Sequence, residues 1–454
     1  MKTLDLLVAE IGSTTTVVTA FDKIESDEPE ILGQAEHYTT VLQGDVTLGI
    51  KKAISILEKK IKNKIKWKKF LASSSAAGGL KITVHGLVYD MTVKAAKEAA
   101  LGAGGVIKYI TAGKIRNMNL KKIMEISPKL IVLAGGVDYG EENTVLYNAA
   151  LLADSEINVP IVYAGNCSVS EEIKEILEKK GKEVILTENV YPKVDQLNVK
   201  PARKIIQESF SKNIIYAPGM EKVYDIVDDE IIPTPGSVML TTELLSDIYK
   251  DVLVVDIGGA TTDIDSVTEG DPLIQKIMLS PEPISKRTVE GDLGLYVNAH
   301  NVIDLIGENE LRKEFEDYDD LVENLSPYPQ NDRQEMFVST LAKYCFVESI
   351  KRHAGNKKYL YGPNGRQEIA VGKDLTSIKY IFGTGGILSR SKYKYEIMKK
   401  ILEEDRRNSL IPGQKIFFGY DKNYIFAAIG VLSTVNKGAA INLLKKNIEI
   451  IKNR

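Results

Sequence analysis

Two stretches of this sequence carry the same chemistry-bearing residues 246 positions apart. DLLVAEIGSTTTVVTAFD (5–22) aligns with DVLVVDIGGATTDIDSVT (251–268). Asp5, Leu7, Val8, Ile11, Gly12, Thr15 and Thr16 meet identical residues at 251, 253, 254, 257, 258, 261 and 262, and Glu10 meets Asp256. Each copy reads as an apolar strand, an acid, an apolar residue, a glycine, small turn residues, threonines and a second apolar strand. A tight turn of glycine and small hydroxyl residues exposes consecutive backbone N–H groups, and phosphate can approach them closely. Gly12, Ser13, Thr14 and Thr15 are therefore candidate phosphate donors, and so are Gly258, Gly259, Ala260, Thr261 and Thr262. The acids Glu10 and Asp256 suit a hydrated Mg²⁺ or the orientation of a water rather than the phosphate itself. An ordinary hairpin would explain one copy alone. Two copies with matched acids favour a pair of hairpins gripping a polyphosphate.

A third glycine cluster, IFGTGGILS, holds Gly383, Gly385 and Gly386 after a strand-like run. Close backbone approach to an adenosine would explain it, and so would a strand-to-helix turn with a glycine cap. The P-loop motif is absent, because Gly372-Lys373 is followed by Asp374 and position 367 is Gln. The four histidines, His37, His85, His300 and His353, show no metal spacing, and nothing marks a nucleophile elbow. Cys167 and Cys345 cannot build a disulfide framework or a thiolate metal site, which fits a reducing cytoplasm.

The elements that must hold these residues alternate. LDLLVAEI, KLIVLAGG, VPIVYAGN, KEVILTEN, DVLVVDIGG and SIKYIFGTGG read as buried strands ending in turns. Between several lie helical patterns, such as Ile50, Ile54, Leu57, Ile61 and Ile65 on one face, and SEEIKEILEKKGKE opened by Ser170 and closed by Gly181. Alternation of this kind predicts an α/β architecture with mostly parallel sheets. Residues 128–190 form a βαβαβ pattern that could stand as a small doubly wound domain. IIPTPGS (231–237) looks like a boundary, and 307–335 like exposed helix and loop. On its residues RTVEGDLGL (287–295) reads as a helix start capped by Thr288, with a turn at Gly291.

The 454 residues carry 59 basic and 62 acidic side chains, a net charge of −3, which argues against a protein that coats nucleic acid. The lysine-rich KKAISILEKKIKNKIKWKKF already has an isoleucine stripe for the core, so its lysines read as a solvated face. No run of 18 uninterrupted apolar residues suggests a membrane span.

Two phosphate hairpins followed by a Gly-Gly loop resemble the actin, sugar-kinase and heat-shock-chaperone ATPases. The resemblance makes Glu10–Thr16 and Asp256–Thr262 the two phosphate hairpins, Gly383–Gly386 the adenosine loop, and PGSVMLTTELLSD and FAAIGVLS the two connecting helices. SSSAAGGLKITVHGLVYDMT, PKLIVLAGGVDYG, PIVYAGN, IPTPGSV, VVDIGGATTDIDSV, RTVEGDLGL and GKDLTSIKYIFGTGG together resemble the glutamate mutase accessory family (GlmL/MutL-type, unrelated to mismatch repair), over about 5–435. That resemblance implies an actin-like α/β fold of two related halves with an inserted small α/β domain. The halves fall at 1–70 and 236–454, and the inserted region at 71–235. It implies ATP or ADP with Mg²⁺ held through water by Glu10 and Asp256. The implied partner is an adenosylcobalamin-dependent mutase or aminomutase, which this chain would reactivate as a cytoplasmic chaperone with no nucleic-acid or membrane partner. No Asp-x-His-x-x-Gly occurs, so the partner rather than this chain would hold cobalamin through a histidine. The wider superfamily usually places Asp where Glu10 stands, which bears on hydrolysis more than on binding. A small-molecule kinase or hydrolase of the same fold, and an ATP-bound scaffold that never turns over, are the alternatives.

Overall fold

The computed structural model describes residues 1–12, 15–40, 43–75, 80–214, 219–362 and 365–451; Ser13 and Thr14, and positions 76–79 of SSSAAGGL, lie outside the described residues. The chain divides into two units, Met1–Leu240 with Ala427–Leu443, and Thr241–Phe426 with Leu444–Arg454.

In the first unit β1 (Lys2–Ile11), β2 (Thr15–Asp22) and β3 (Glu30–Tyr38) form an antiparallel meander, and β4 (Ile65–Ser74) joins β1 in parallel. Leu4, Leu6, Leu7, Val8, Ala9 and Ile11 of β1 are all buried, the near-continuous apolar run of a central strand covered on both faces. The Thr47–Ile61 helix turns Ile50, Ala53 and Leu57 inward and leaves Lys51, Lys52, Lys59 and Lys60 in water. Ile65 departs from the expected helical stripe and opens β4 instead.

Five parallel strands follow: β5 (Leu80–Gly86), β6 (Gly105–Ala112), β7 (Leu130–Leu133), β8 (Ile161–Tyr163) and β9 (Val184–Leu186), in spatial order β6-β5-β7-β8-β9. This is the doubly wound order whose direction reverses beside the first strand. The 128–190 block supplies three of the five strands, and β7 pairs with β5 from outside it. Leu130, Val132, Val162 and Val190 lie in one core with Leu7, Ile50 and Ile82, so the block is not self-contained. The chain returns to the first sheet through β10 (Ile232–Pro233), beside β4, and enters the Thr234–Tyr249 helix. IIPTPGS thus comprises a strand and the start of the helix inside which the chain passes from the first unit to the second, at Leu240–Thr241. Pro235 occupies the first turn, where a missing N–H costs nothing.

The second unit repeats the pattern. β11 (Val252–Ile257), β12 (Thr262–Val267) and β13 (Ser285–Glu290) form the meander. After the separate ribbon β14 (Asn356–Gly362) and β15 (Gly365–Val371), β16 (Tyr380–Thr384) and β17 (Phe417–Asp421) extend the sheet in parallel, and β18 (Ile448–Ile451) closes it. Both sheets therefore run as a three-stranded meander and then two parallel strands, the second of which leads to a helix, Thr234–Tyr249 in one and Phe426–Ser433 in the other. The two units thus carry the same α/β strand order, a duplicated topology. RTVE lies in β13, so Thr288 caps no helix. Within 307–335, Leu311, Phe315, Tyr318 and Leu321 are buried, so that segment contributes to the core as well as to the surface. The helices after β10 and β17 meet backbone to backbone: a Cβ on Gly430 would lie 1.9 Å from the Ser237 carbonyl oxygen.

His85 is fully buried on β5, its Nδ1 2.8 Å from Thr111 Oγ1 and its Nε2 3.0 Å from Thr83 Oγ1. Burial drives its pKa down to about 3. The unfolded chain takes up this proton near pH 6.5 and the folded chain does not, so stability falls as pH drops below that value. Denaturant titrations at pH 7 and pH 5 should differ by about 2 kcal/mol from this group, and the His85→Gln variant should lose that share of the pH dependence.

Candidate functional site

The repeated residues occupy equivalent places in the two sheets. In the first hairpin Glu10 faces Val17 and Ile11 faces Thr16 across the ladder; in the second Asp256 faces Asp263 and Ile257 faces Thr262. Gly12 N donates to Thr15 O at 2.9 Å, and Gly258 N donates to Thr261 O at 2.9 Å. On the other side, Glu10 lies beside Ser73 of β4, and Asp256 beside Thr384 of β16. A Cβ at Gly12 would come within 2.7 Å of Thr15 O, so the closure of the first turn requires glycine there.

The second turn is held from one side by the segment after β13. Leu295 N donates to Gly258 O (3.1 Å), Tyr296 N and Val297 N to Gly259 O (2.8 and 2.7 Å), and Asn298 Nδ2 to Ala260 O (2.6 Å). A trans peptide points its carbonyl and the next N–H in opposite directions. The amides of Gly259, Ala260 and Thr261 therefore face away from that segment, as an anion-binding nest requires. Gly294 lets the segment approach, since its Cβ would sit 2.4 Å from the Ala260 carbonyl carbon.

The threonines divide. Thr262 is buried and its hydroxyl donates to Leu293 O at 2.7 Å, so it anchors the bracing segment rather than a ligand. Thr261 lies half-buried, and its Oγ1 donates to Asp263 Oδ2 at 3.3 Å. Asp263 in turn accepts from Arg287 Nη2 at 2.5 Å, and Arg287 is 2% exposed with Asp265 3.8 Å from its Nε. Glu290 and Asp292 pair with Arg352 at 3.1 and 2.8 Å. Burial pushes the Glu290 carboxyl up, against the pull of Arg352. Of the charged residues in RTVEGDLGL, Arg287 thus reaches the turn through Asp263.

The three glycines after β16 have three different causes. A Cβ on Gly383 would meet Leu388 Cβ at 3.0 Å, which is internal packing. Gly385 has φ +87°, and its Cβ would lie 2.3 Å from Ile257 O and 2.8 Å from Asp256 Oδ1. It is glycine because the loop crosses the end of β11, and this brings the loop and the strand-end acid together. Gly386 is exposed and its Cβ would meet nothing within 4 Å, so it alone has room for a ligand. Asn298 and the Thr384–Asp421 hydrogen bond had no motif to announce them, whereas Leu293–Leu295 fall within RTVEGDLGL.

Among the described residues no three His, Cys, Asp or Glu side chains converge as a metal-binding group. In the second unit the oriented amides of Gly259, Ala260 and Thr261, the half-buried acid Asp256 and the open Cβ direction of Gly386 suit an anionic ligand; in the first unit Glu10 is half-buried at the equivalent place. Among the described residues no helix is long and apolar enough to cross a membrane.

Residues 6–448 match the MutL protein family. The chain belongs to that family. A "Protein MutL" of Clostridium tetanomorphum is 36% identical over 457 residues, covering 97% of this chain and 98% of the relative. Among solved structures, this MutL-family chain is similar to a diol dehydratase-reactivating factor in nucleotide-free form (12% identity, 95% of this chain and 99% of that one, TM-score 0.37). It is also similar to a nucleotide-free acetone carboxylase (11% identity, 95% and 70%, TM-score 0.38).

The glycine assignments make a stability test. Gly385→Ala should cost about 3 kcal/mol, from the positive φ and the clash with Ile257 O. Gly386→Ala should stay within about 0.5 kcal/mol of wild type in the same denaturant titration.

Proposed function

We propose that this chain is an ATP-dependent accessory protein that reactivates an adenosylcobalamin-dependent mutase or aminomutase in the cytoplasm. The observation that carries the nucleotide part is the duplicated hairpin, with one closing bond and one register in both units. Membership of the MutL family supports the accessory part.

In the second unit the amides of Gly259, Ala260 and Thr261 would donate to phosphate oxygens; in the first unit the Gly12 amide already closes the turn on Thr15 O, so the equivalent donors would be Ser13, Thr14 and Thr15. The Gly386 backbone borders the adenosine. Bound magnesium supplies positive charge against the phosphates. Asp256 and Glu10 are the residues that would hold that ion through water and orient a water beside the phosphates. Exchange of ATP for ADP then changes the relation of the units, and the inserted domain passes that change to the partner. A 100-fold difference in affinity between two states supplies about 2.7 kcal/mol, enough to bias a weak interface.

Calorimetry with Mg-ATP and Mg-ADP tests binding; Gly386→Val, folded as wild type, should bind at least about tenfold more weakly. Asp256→Asn should keep ATP binding and slow single turnover by about 10²-fold, as expected for a group that positions water. An unchanged rate would defeat the role given to the second hairpin. Glu10→Asp should raise the basal rate, because a switch that waits for its partner gains from slow unassisted hydrolysis; a rate at or below wild type contradicts this. Stimulation of ATPase by a cobalamin enzyme supports reactivation, stimulation by a metabolite supports a kinase, and no turnover under either condition supports a scaffold.

A further inference from the structure

Asp421 closes β17 and is fully buried. Its Oδ2 accepts from Thr384 Oγ1 at 2.9 Å, from Ile425 N at 2.8 Å and from Phe426 N at 2.8 Å. Its Oδ1 accepts from Ile425 N at 2.9 Å and from Asn447 Nδ2 at 2.7 Å. One carboxylate thus joins three things. Thr384 lies beside Asp256 in the β11–β16 ladder and directly precedes Gly385. Ile425 and Phe426 start the Phe426–Ser433 helix. Asn447 leads into β18. The chain passes from the second unit to the first inside this helix, between Phe426 and Ala427.

The first unit provides an internal control. Ser73 lies beside Glu10 as Thr384 lies beside Asp256, and β10 lies beside β4 as β17 lies beside β16. There the link to the following helix is between two hydroxyls, Thr234 Oγ1 donating to Ser73 Oγ at 3.5 Å. A buried carboxylate surrounded by donors makes shorter, stronger bonds than a hydroxyl pair, and it favours a helix N-terminus. Burial pushes the Asp421 carboxyl up, while the backbone amides, Asn447 and Thr384 pull it back toward the charged form. The two otherwise matching sheets therefore differ in how firmly the strand end is tied to the helix that leaves it.

We propose that Asp421 is a positioning residue that couples the Gly385–Gly386 loop, through Thr384, to the helix carrying the chain out of the second unit. This rests on the nucleotide reading above: a ligand at the loop displaces Thr384, and Asp421 moves the first turn of the helix with it. In the first unit the weaker hydroxyl link transmits little, so the response to nucleotide is one-sided.

Hydrogen exchange of 426–433, with and without Mg-ADP or Mg-ATP, tests this. In wild type, nucleotide should change exchange there by about tenfold or more. Asp421→Asn and Thr384→Val should lose that change while calorimetry shows nucleotide affinity within about tenfold of wild type. Thr234→Val should keep it. If Asp421→Asn does not fold, Thr384→Val decides, since it removes only the loop-side bond. Folded, nucleotide-binding Thr384→Val or Asp421→Asn that retains the wild-type response overturns the inference alone. Wild type that binds no nucleotide overturns the nucleotide reading, and this inference with it.

Discussion

A trans peptide bond sends its carbonyl one way and its amide the other, and the second hairpin turn is built on that constraint. Three successive carbonyls, of Gly258, Gly259 and Ala260, are taken up by residues 295–298. With one edge of the turn occupied by protein, the opposite edge presents its amides in a row. Gly294, the Thr262 hydroxyl and Asn298 all serve to bring the bracing segment close enough. Behind the turn, Arg287 holds Asp263, and Asp263 holds Thr261. The turn is therefore shaped by groups on its protein-facing side, and the Gly385 loop passes close to the acid at position 256.

Much of this was legible in the sequence, and the limits have physical causes. The repeat at Glu10–Thr16 and Asp256–Thr262 was visible because strand, acid and glycine turn are local patterns, and the ladders keep the same register. The central strands were visible as uninterrupted apolar runs. β10 was not, because two residues carry no periodicity and Ile232–Pro233 become a strand only by lying beside Ser73–Ser74. The inserted sheet began earlier than its βαβαβ core suggested, since β7 chooses β5 as its neighbour and nothing in KLIVLAGG records that choice. Gly383, Gly385 and Gly386 look alike as letters. One avoids Leu388, one crosses Ile257, and one borders open space. Close approach of distant backbone is a tertiary fact.

The two helices that leave the sheets are treated differently at their two ends. At their meeting, Gly430 and Ser237 leave no space for a side chain, so the contact is backbone on backbone. At its start, the Phe426–Ser433 helix is tied to a buried carboxylate, whereas Thr234 relies on a distant hydroxyl. Chemistry placed at the loops can thus act on one helix more strongly than on the other, although the sheets that carry them share one topology.

That shared topology has a consequence for origin. Equal strand order, equal register and equal turn closure at an offset of 246 residues are what duplication and fusion of one gene segment would leave. Before fusion, a single ancestral segment would have supplied both copies, as identical chains do in a homodimer. A symmetric pair must keep its two acids and its two helix caps identical. Once joined in one chain they could diverge independently, and Glu10 against Asp256, and Thr234 against Asp421, are the marks of that freedom.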